Sequence, residues 1–205
     1  MMQAFKRGED IHAYTASLMY GVPVSEVSAE MRQRAKAVNF GIIYGQQAYG
    51  LSLQLNISVS EAGSFLRQYY ARYPAVKRYM DETVALAEER GFVTTLFNRR
   101  REIPQLKSSS STARQNGRRM AINTPVQGSA ADIIKVAMIN IDRRLREMDL
   151  KSKMIIQIHD ELVFELPQEE LERLRAIVVE EMESVKKLTV PLKVDMKVGR
   201  NWAEI

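Results

Sequence analysis

The segment MRQRAKAVNFGIIYG, residues 31–45, decides how the first half of the chain is interpreted. Its charged and aromatic residues are spaced four apart: Arg32, Lys36, Phe40 and Tyr44. Each residue turns about 100° around a helix axis, so successive members of this series are only about 40° apart. The sequence therefore predicts one slanting stripe on a helix, about 18 Å long, cationic at its N-terminal end and aromatic at its C-terminal end.

A stripe of this kind matches the polarity of a nucleoside triphosphate. Arg32 offers a planar fork and Lys36 a point charge to phosphate oxygens, while Phe40 supplies an apolar wall and Tyr44 a stacking surface. Gly41 inside a helix costs about 1 kcal/mol relative to alanine, which predicts that another group approaches closely there. The alternative interpretation is an ordinary amphipathic helix whose aromatic residues belong to the core.

Composition sets the broad class of the protein. The chain has 205 residues, 45% of them hydrophobic, which is enough to bury a sizeable core. Because it has no cysteine, disulfides and thiolate metal sites are excluded. No run approaches the roughly 18 apolar residues that span a bilayer, and the N-terminus has no apolar signal segment. We therefore expect a cytoplasmic protein with no membrane partner.

Positive charge is concentrated in one segment. Between Arg99 and Arg119 there are seven basic residues and one acid, whereas the whole chain has a net charge of +5. The remainder is thus nearly neutral. Basic runs are often just solvated faces, but an excess of this size favours a polyanionic partner.

The periodicity of the sequence predicts an α+β fold. Residues 1–92 are typical of helices, with Pro23 as a start signal, Ser28 as an N-cap, and helix ends at Pro74 and Gly91. Further segments are predicted as follows: a hairpin over 91–106 with Asn98 in its turn, a loop or irregular helix start over 107–117, a helical pattern over 114–148 that Pro125 kinks or divides, a hairpin over 153–166, a helix beginning at Pro167, and a final strand over 190–199.

Two further groups of residues have spacings that indicate function. Arg119, Asn123 and Gln127 are four residues apart in RMAINTPVQG; such amides are usually solvated, but they can also donate to the minor-groove acceptors that all base pairs share. In QIHDELVFE, Asp160 and Glu161 are predicted at the tip of a hairpin, where a carboxylate can bind a hard cation such as Mg²⁺. The alternative is that Asp160 and His159 are ordinary turn residues.

These groups together resemble the C-terminal polymerase region of family A DNA polymerases. The pattern R-x-x-x-K-x-x-x-F-G-x-x-Y-G at residues 32–45 is similar to that family's fingers-helix motif, and QIHDELVFE resembles its palm hairpin. RMAINTPVQGSAADIIK resembles the palm helix that joins them, and RGEDIHAYTA and YPAVKRYM also fit the family. The resemblance implies helical fingers over residues 1–112, followed by the C-terminal part of the palm, with a small antiparallel sheet packed on helices, over 113–205.

The resemblance also implies an activity, partners and roles for individual residues. The activity is template-directed transfer of a deoxynucleotide to a primer 3′-hydroxyl with two Mg²⁺ ions, and the partners are primer-template DNA and deoxynucleoside triphosphates. The implied nucleotide-binding residues are His12, Arg32, Lys36, Phe40 and Tyr44. The implied DNA-binding residues are Arg119, Asn123, Gln127 and His159. Asp160 is implied as the metal ligand with Glu161 beside it, and Lys36 is implied to aid departure of pyrophosphate.

The chain departs from the family pattern in two respects. No motif like D-Y-S-x-I-E-L-R, which carries the family's first palm aspartate, occurs in the 205 residues, and KSSSSTARQNG is richer in serine than the family's usual run. We therefore expect a fragment of a longer enzyme that does not polymerise DNA by itself and whose open sheet edge favours self-association. The alternatives are a non-catalytic nucleic-acid-binding module with the polymerase fold and an unrelated phosphate-binding regulatory domain.

Overall fold

The structure is a computed structural model that describes residues 9–204, so Arg7 and Gly8 of the segment RGEDIHAYTA lie outside the described residues. Its α-helices are α1 (Ile11–Tyr20), α2 (Ala29–Ile43), α3 (Ala48–Leu55), α4 (Val59–Arg72), α5 (Pro74–Arg90), α6 (Ser111–Glu147) and α7 (Leu171–Ser184). Its strands are β1 (Phe92–Thr94), β2 (Arg100–Glu102), β3 (Lys153–Ile158) and β4 (Glu161–Glu165). The predicted α+β class is confirmed.

Helices α1 and α2 form the pair on which the predicted stripe lies. The Asp10 side chain caps the N-terminus of α1, and Gly21 ends that helix at φ +66°. Ser28 caps α2 by accepting from the Met31 N–H, as predicted. Pro23 precedes a 3₁₀ turn, Val24–Glu26, so the helix itself starts at Ala29 and not directly after the proline.

Helices α3 to α5 complete the first core. A capping box at Ser58 and Glu61 begins α4, and Pro74 occupies the first turn of α5. The predicted helix ends at Pro74 and Gly91 are confirmed, whereas α3 lies in the region predicted as helical but was not predicted as a separate helix. The buried residues of this core come from α2, α3 and α4 and the junction that follows: Val38, Ile42, Leu51, Ala62, Tyr69 and Tyr73.

A short hairpin connects α5 to α6. Strands β1 and β2 are antiparallel, with Phe92 opposite Glu102, and Asn98 lies in the connecting turn at φ +62°, as predicted. The 3₁₀ turn Pro104–Lys107 follows and packs against α6, where a Cβ at Gly117 would lie 3.0 Å from the Leu106 nitrogen. Glycine at position 117 therefore permits the close packing of this turn on α6.

Helix α6 runs for 37 residues through Pro125 without being divided. A proline inside a helix removes one backbone hydrogen bond, and the helix persists because residues on both sides of it are buried, among them Ala121, Ile122 and Ile141. No helix within residues 9–204 combines the length and the apolar character needed to cross a membrane.

The chain divides into two compact units, residues 1–128 and 129–205, and the division falls inside α6. In the second unit, β3 and β4 form an antiparallel hairpin that packs with α7 and the end of α6 around Ile141, Leu145 and Ile177. The predicted sheet packed on helices is confirmed there. The predicted boundary of the fingers at residue 112 stays a prediction.

The expected final strand over residues 190–199 is not formed. Its alternating pattern survives in the burial of its side chains, since Leu192, Val194 and Met196 are half-buried between exposed neighbours. Yet the Val194 N–H donates to the Glu183 carboxylate and not to a strand. Alternation predicts which side chains are covered, but a strand also needs a neighbouring strand to pair with.

Candidate nucleotide and nucleic-acid interface

The stripe predicted from residues 31–45 lies at the surface of the first unit. Arg32, Lys36 and Phe40 project from α2, with Lys36 half-buried and Phe40 42% exposed. Tyr44 is the residue that follows the helix, but its ring still stacks beside Phe40, with centroids 6.2 Å apart and planes 20° from parallel. The helix thus presents two cations and an adjoining pair of aromatic rings on one surface.

His12 joins this surface from the neighbouring helix. Its ring centroid lies 6.0 Å from that of Phe40, and its Nδ1 lies 2.9 Å from the Asn39 amide nitrogen. Asn39 is buried and its Oδ1 lies 3.1 Å from the hydroxyl of buried Thr15. A line of polar contacts from α1 to α2 and back thus holds the imidazole in place.

Asp10 is a site residue that the sequence did not predict. Its carboxylate forms a salt bridge with Arg32 and also accepts from the backbone N–H groups of His12 and Ala13. Partial desolvation raises the pKa of Asp10, but the Arg32 guanidinium and the two N–H groups outweigh it and hold this pKa below its usual value. The same carboxylate therefore caps α1 and orients Arg32. The position of an acid directly before the helical segment IHAYTA, an N-cap signal, could have identified it.

The electrostatics of the surface are set by cations. Burial lowers the pKa of His12, Arg32 and Lys36 lower it further, and Asp10 raises it. The net effect is a pKa below the usual value for histidine. Among residues 9–204, Lys36 has no salt-bridge partner. The surface therefore carries positive charge that no described acid neutralises at Lys36, as an anion-binding site requires.

Gly41 has the close neighbour that its position in a helix predicts. A Cβ at Gly41 would lie 1.8 Å from Oε1 of Gln46, and a Cβ at Gly50 would lie 3.1 Å from Cγ of the same side chain. Gln46 is thus packed between two glycines of α2 and α3. This close approach comes from the chain itself, so the glycine is explained by packing.

Gly45 brings the end of the stripe to α6. It adopts φ +77°, and a Cβ there would lie 3.4 Å from Ile122 and 3.7 Å from Cγ of Arg119. Glycine suits both the left-handed turn and the close contact. Arg119, the first member of the predicted DNA-binding row, is therefore adjacent to the turn that follows Tyr44.

The row itself is unevenly exposed. Arg119 and Gln127 are exposed, whereas Asn123 is half-buried. The side-chain amide oxygen of Asn123, Oδ1, is buried and has no hydrogen-bond partner among the described residues. The two ends of the row can contact a ligand directly, and the middle member lies deeper.

The basic segment contributes less free charge than its composition indicates. Five of its seven basic residues make contacts within the first unit: Arg99, Arg100, Arg101, Arg114 and Arg118. Arg101, for example, donates to the Thr124 hydroxyl at 3.1 Å, and Arg118 pairs with Glu88 at 3.0 Å. Arg119 and Lys107 have no salt-bridge partner within the part of the chain that the structure describes.

The second unit carries the carboxylate hairpin. His159 and Asp160 form the two-residue loop between β3 and β4, and Ile158 pairs with Glu161. His159 adopts φ +52°, a conformation that costs a residue other than glycine about 1 kcal/mol or more and that occurs often at functional sites. The loop residues and Glu161 are exposed. The hairpin thus presents two carboxylates and an imidazole at its tip.

The chemistry of this tip fits a hard cation, although the ligand set is partial. Carboxylate oxygens are the donors that Mg²⁺ prefers, and Mg²⁺ is commonly held by one or two carboxylates together with substrate phosphates. Within residues 9–204 no group of three or more His, Asp or Glu side chains is arranged to hold a metal ion. Asp160 and Glu161 could therefore contribute ligands to a metal but not enclose it.

A helical unit followed by a small antiparallel hairpin packed on helices matches the α+β fold of a nucleic-acid polymerase domain. The chain belongs to the DNA polymerases of family A, since the model for "DNA polymerase family A" matches residues 1–204.

Individual relatives agree with this assignment. DNA polymerase I of Caldicellulosiruptor bescii is 50% identical over 204 residues, which is 100% of this chain and 24% of the relative. DNA polymerase I of Geobacillus stearothermophilus is 50% identical over 202 residues, 98% of this chain and 23% of the relative. The chain therefore spans about a quarter of the length of these curated relatives.

A solved structure has the same fold. It is the POL domain of Pol1 from M. smegmatis in complex with DNA primer-template and dNTP, with a TM-score of 0.94 and 44% sequence identity. The match covers 98% of this chain and 36% of that one.

Proposed function

We propose that this chain is the part of a template-directed DNA polymerase that binds the incoming deoxynucleoside triphosphate and grips primer-template DNA. The observation that carries the proposal is the arrangement of Arg32, Lys36 and His12 beside the Phe40 and Tyr44 rings. The similarity to polymerases, one of them solved with DNA and dNTP, supports it. In the reaction, the primer 3′-oxygen bonds to the α-phosphorus, the bond from that phosphorus to the bridging oxygen breaks, and pyrophosphate and a proton are released.

The proposed nucleotide contacts follow the polarity of the stripe. Arg32 and Lys36 bind the triphosphate, and His12 donates to one of its oxygens. Lys36 also offsets the negative charge that builds up on departing pyrophosphate. Phe40 packs against the sugar, and Tyr44 stacks near the template base.

The proposed DNA contacts are made by α6 and by the hairpin. Arg119 and Gln127 are exposed at the ends of a row that suits the acceptors of the minor groove, and Asn123 lies between them. Such contacts sense the geometry of a duplex without reading its sequence. His159 at the hairpin tip contacts the primer end.

Asp160, with Glu161 beside it, is proposed to hold Mg²⁺ together with the phosphates of the substrate. Bound metal lowers the negative charge on the attacking and leaving oxygens. The contribution of the chain is to fix the two carboxylates at a tight turn between paired strands.

We also propose that the 205-residue chain does not extend primers by itself. Two-metal sites need several fixed anionic oxygens, and the aspartate motif that would supply the others is not found in this sequence. Ile155 and Ile156 of β3 are both exposed, which favours self-association through this hairpin. A cytoplasmic location stays a prediction from the sequence.

The test is a chimeric enzyme in which this chain replaces the matching 204 residues of the C. bescii polymerase. Primer extension is measured with Mg²⁺ and all four nucleotides for the chimera, its Asp160→Asn variant and the 205-residue chain alone. We expect extension by the chimera only, with the loss of activity in the variant. A well-folded chimera that binds DNA without extending it would favour the non-catalytic module instead. Extension by the chain alone that depends on Asp160 would overturn the proposal of inactivity.

A further inference from the structure

Asn39 is a buried amide for which the proposed nucleotide contacts have no role. It is 2% exposed, and its two polar atoms point along α1: Oδ1 lies 3.1 Å from the Thr15 hydroxyl and Nδ2 lies 2.9 Å from Nδ1 of His12. Thr15 is also buried, at 1% exposure. Burying two polar side chains is costly unless they are hydrogen-bonded. The contacts from Thr15 through Asn39 to His12 are therefore a specific part of how α1 and α2 pack.

In the structure the Asn39 amide is oriented with Nδ2 towards His12, and this orientation favours one tautomer of the imidazole. With Nδ2 of Asn39 donating, Nδ1 of His12 must accept, and the single proton of the neutral ring is then on Nε2. Nε2 makes no hydrogen bond to any residue between 9 and 204. It is therefore the atom that is available to donate to a ligand.

The same amide can serve the protonated ring. The Thr15 hydroxyl has one proton and a second acceptor, the Ile11 carbonyl oxygen, at 2.9 Å. If the Asn39 amide turns by half a rotation, Thr15 donates to Ile11, Nδ2 donates to the Thr15 oxygen, and Oδ1 accepts from a protonated Nδ1. Donors and acceptors match for the neutral ring in the first orientation of the amide and for the protonated ring in the second, and Nε2 carries a proton in each of these two cases.

We propose that Asn39 is a positioning residue that keeps an N–H of His12, at Nε2, directed outward to nucleotide phosphate in both charge states of the ring. The proposal rests on the nucleotide site proposed above. The charged groups that face the ring are Asp10 beside α1 and Arg32 and Lys36 on α2; the two cations oppose a charged imidazole and Asp10 favours it. A carboxylate at position 39 could only accept, so it would hold the proton of the neutral ring on Nδ1 and remove it from Nε2.

The decisive measurement is the tautomer of His12, read from the ring ¹⁵N shifts of the 205-residue chain by NMR. The chain has two histidines, so His159 serves as an internal reference. We expect neutral His12 to carry its proton on Nε2, and Asn39→Asp to move it to Nδ1. The matched control is Gln33→Glu, which makes the same charge change at an exposed position of α2 and should leave the tautomer unchanged. A neutral wild-type ring protonated on Nδ1, which requires no variant to fold, would overturn the proposal.

A second measurement separates positioning from general stability. Inorganic tripolyphosphate is titrated into wild-type chain and into Asn39→Leu, each with and without His12→Ala. We expect Asn39→Leu to weaken binding by about three- to tenfold when His12 is present, and to have no further effect when it is absent. Equal weakening in both backgrounds would mean that Asn39 acts through the fold and would refute the proposal. If wild-type chain does not bind tripolyphosphate, the proposed nucleotide site fails, while the tautomer still decides the role of Asn39.

Discussion

The helix pair α1–α2 and the hairpin β3–β4 both carry predicted site residues, but they hold them in different ways. In the helix pair, fully buried Val38 and Ile42 lie on the same helix as the stripe, and buried Asn39 supports His12. In the hairpin, the tip is exposed, and so are Ile155 and Ile156 of β3. The comparison teaches that the side chains of the stripe are supported by buried residues of their own helix pair, whereas the carboxylates stand on a hairpin whose β3 strand has exposed apolar residues.

The largest effect should come from removing the core beneath the stripe. Ile42→Ala deletes a fully buried side chain and should lower the free energy of unfolding by about 3 kcal/mol, because it removes apolar contacts and leaves a cavity. Urea denaturation measures it. Ile139→Ala, at a position 67% exposed, is the control and should change stability by less than about 0.5 kcal/mol. A loss for Ile42→Ala as small as that expected for the control would show that the stability of the chain does not depend on this core.

A smaller loss is expected for Lys36, which has no salt-bridge partner among the residues that the structure describes. In the chimeric polymerase, Lys36→Ala should slow nucleotide incorporation by more than about tenfold, since a charge-assisted contact contributes roughly 1.5–3 kcal/mol. Single-turnover incorporation kinetics measure the change. Lys193→Ala, at an exposed position of the second unit, should have no effect. Unchanged kinetics for Lys36→Ala would contradict the proposal that the stripe binds the nucleotide.

The stability of the second unit should fall at acid pH because of Glu170. Glu170 accepts from the Ser152 hydroxyl and from the N–H groups of Lys151 and Ser152, at 2.9 and 2.8 Å for the latter two. The Ser152 hydroxyl and the Lys151 N–H outweigh desolvation, so the pKa of Glu170 lies below its usual value. Its stabilising contribution is therefore present above the unfolded-state pKa of about 4.3 and is lost as pH falls through the lower folded-state pKa.

Urea midpoints of the 205-residue chain measured from neutral pH down to about pH 3 test this expectation. Glu170→Gln should lower the midpoint at neutral pH and flatten its fall in acid, because the variant has no carboxylate left to protonate. Glu169→Gln, at the exposed neighbouring position, is the matched control and should follow wild type. A Glu170→Gln curve parallel to that of wild type would contradict the assignment.

The smallest effect should be on DNA binding. We expect the 205-residue chain to bind duplex DNA weakly, without sequence preference and less tightly as salt rises. Arg119→Ala should reduce the slope of log affinity against log salt by about 1. Arg143→Ala, on the part of α6 that belongs to the second unit, should leave the slope unchanged. Affinity that does not respond to salt, or that depends strongly on sequence, would argue against this interface.

Much of the fold and part of the site could be predicted from local sequence. The stripe was predictable because residues four apart share a helix face, and the hairpins were predictable because turn residues separate short strands. The bounds of α3, within the region predicted as helical, could not be predicted, since its eight residues are too few for a clear apolar period. The final strand was predicted but not formed, because alternation describes one chain while a strand requires two.

The contacts that complete the site were decided by tertiary structure. The sequence by itself determined the family, the α+β class and the candidate residues, because all three follow from the spacing of residues within each motif and from the order of the motifs along the chain. The salt bridge from Asp10 to Arg32 and the link from Thr15 through Asn39 to His12 join residues more than twenty positions apart. No local pattern specifies such pairs, since they form only when α1 and α2 pack and the cost of burying each polar atom selects its partner.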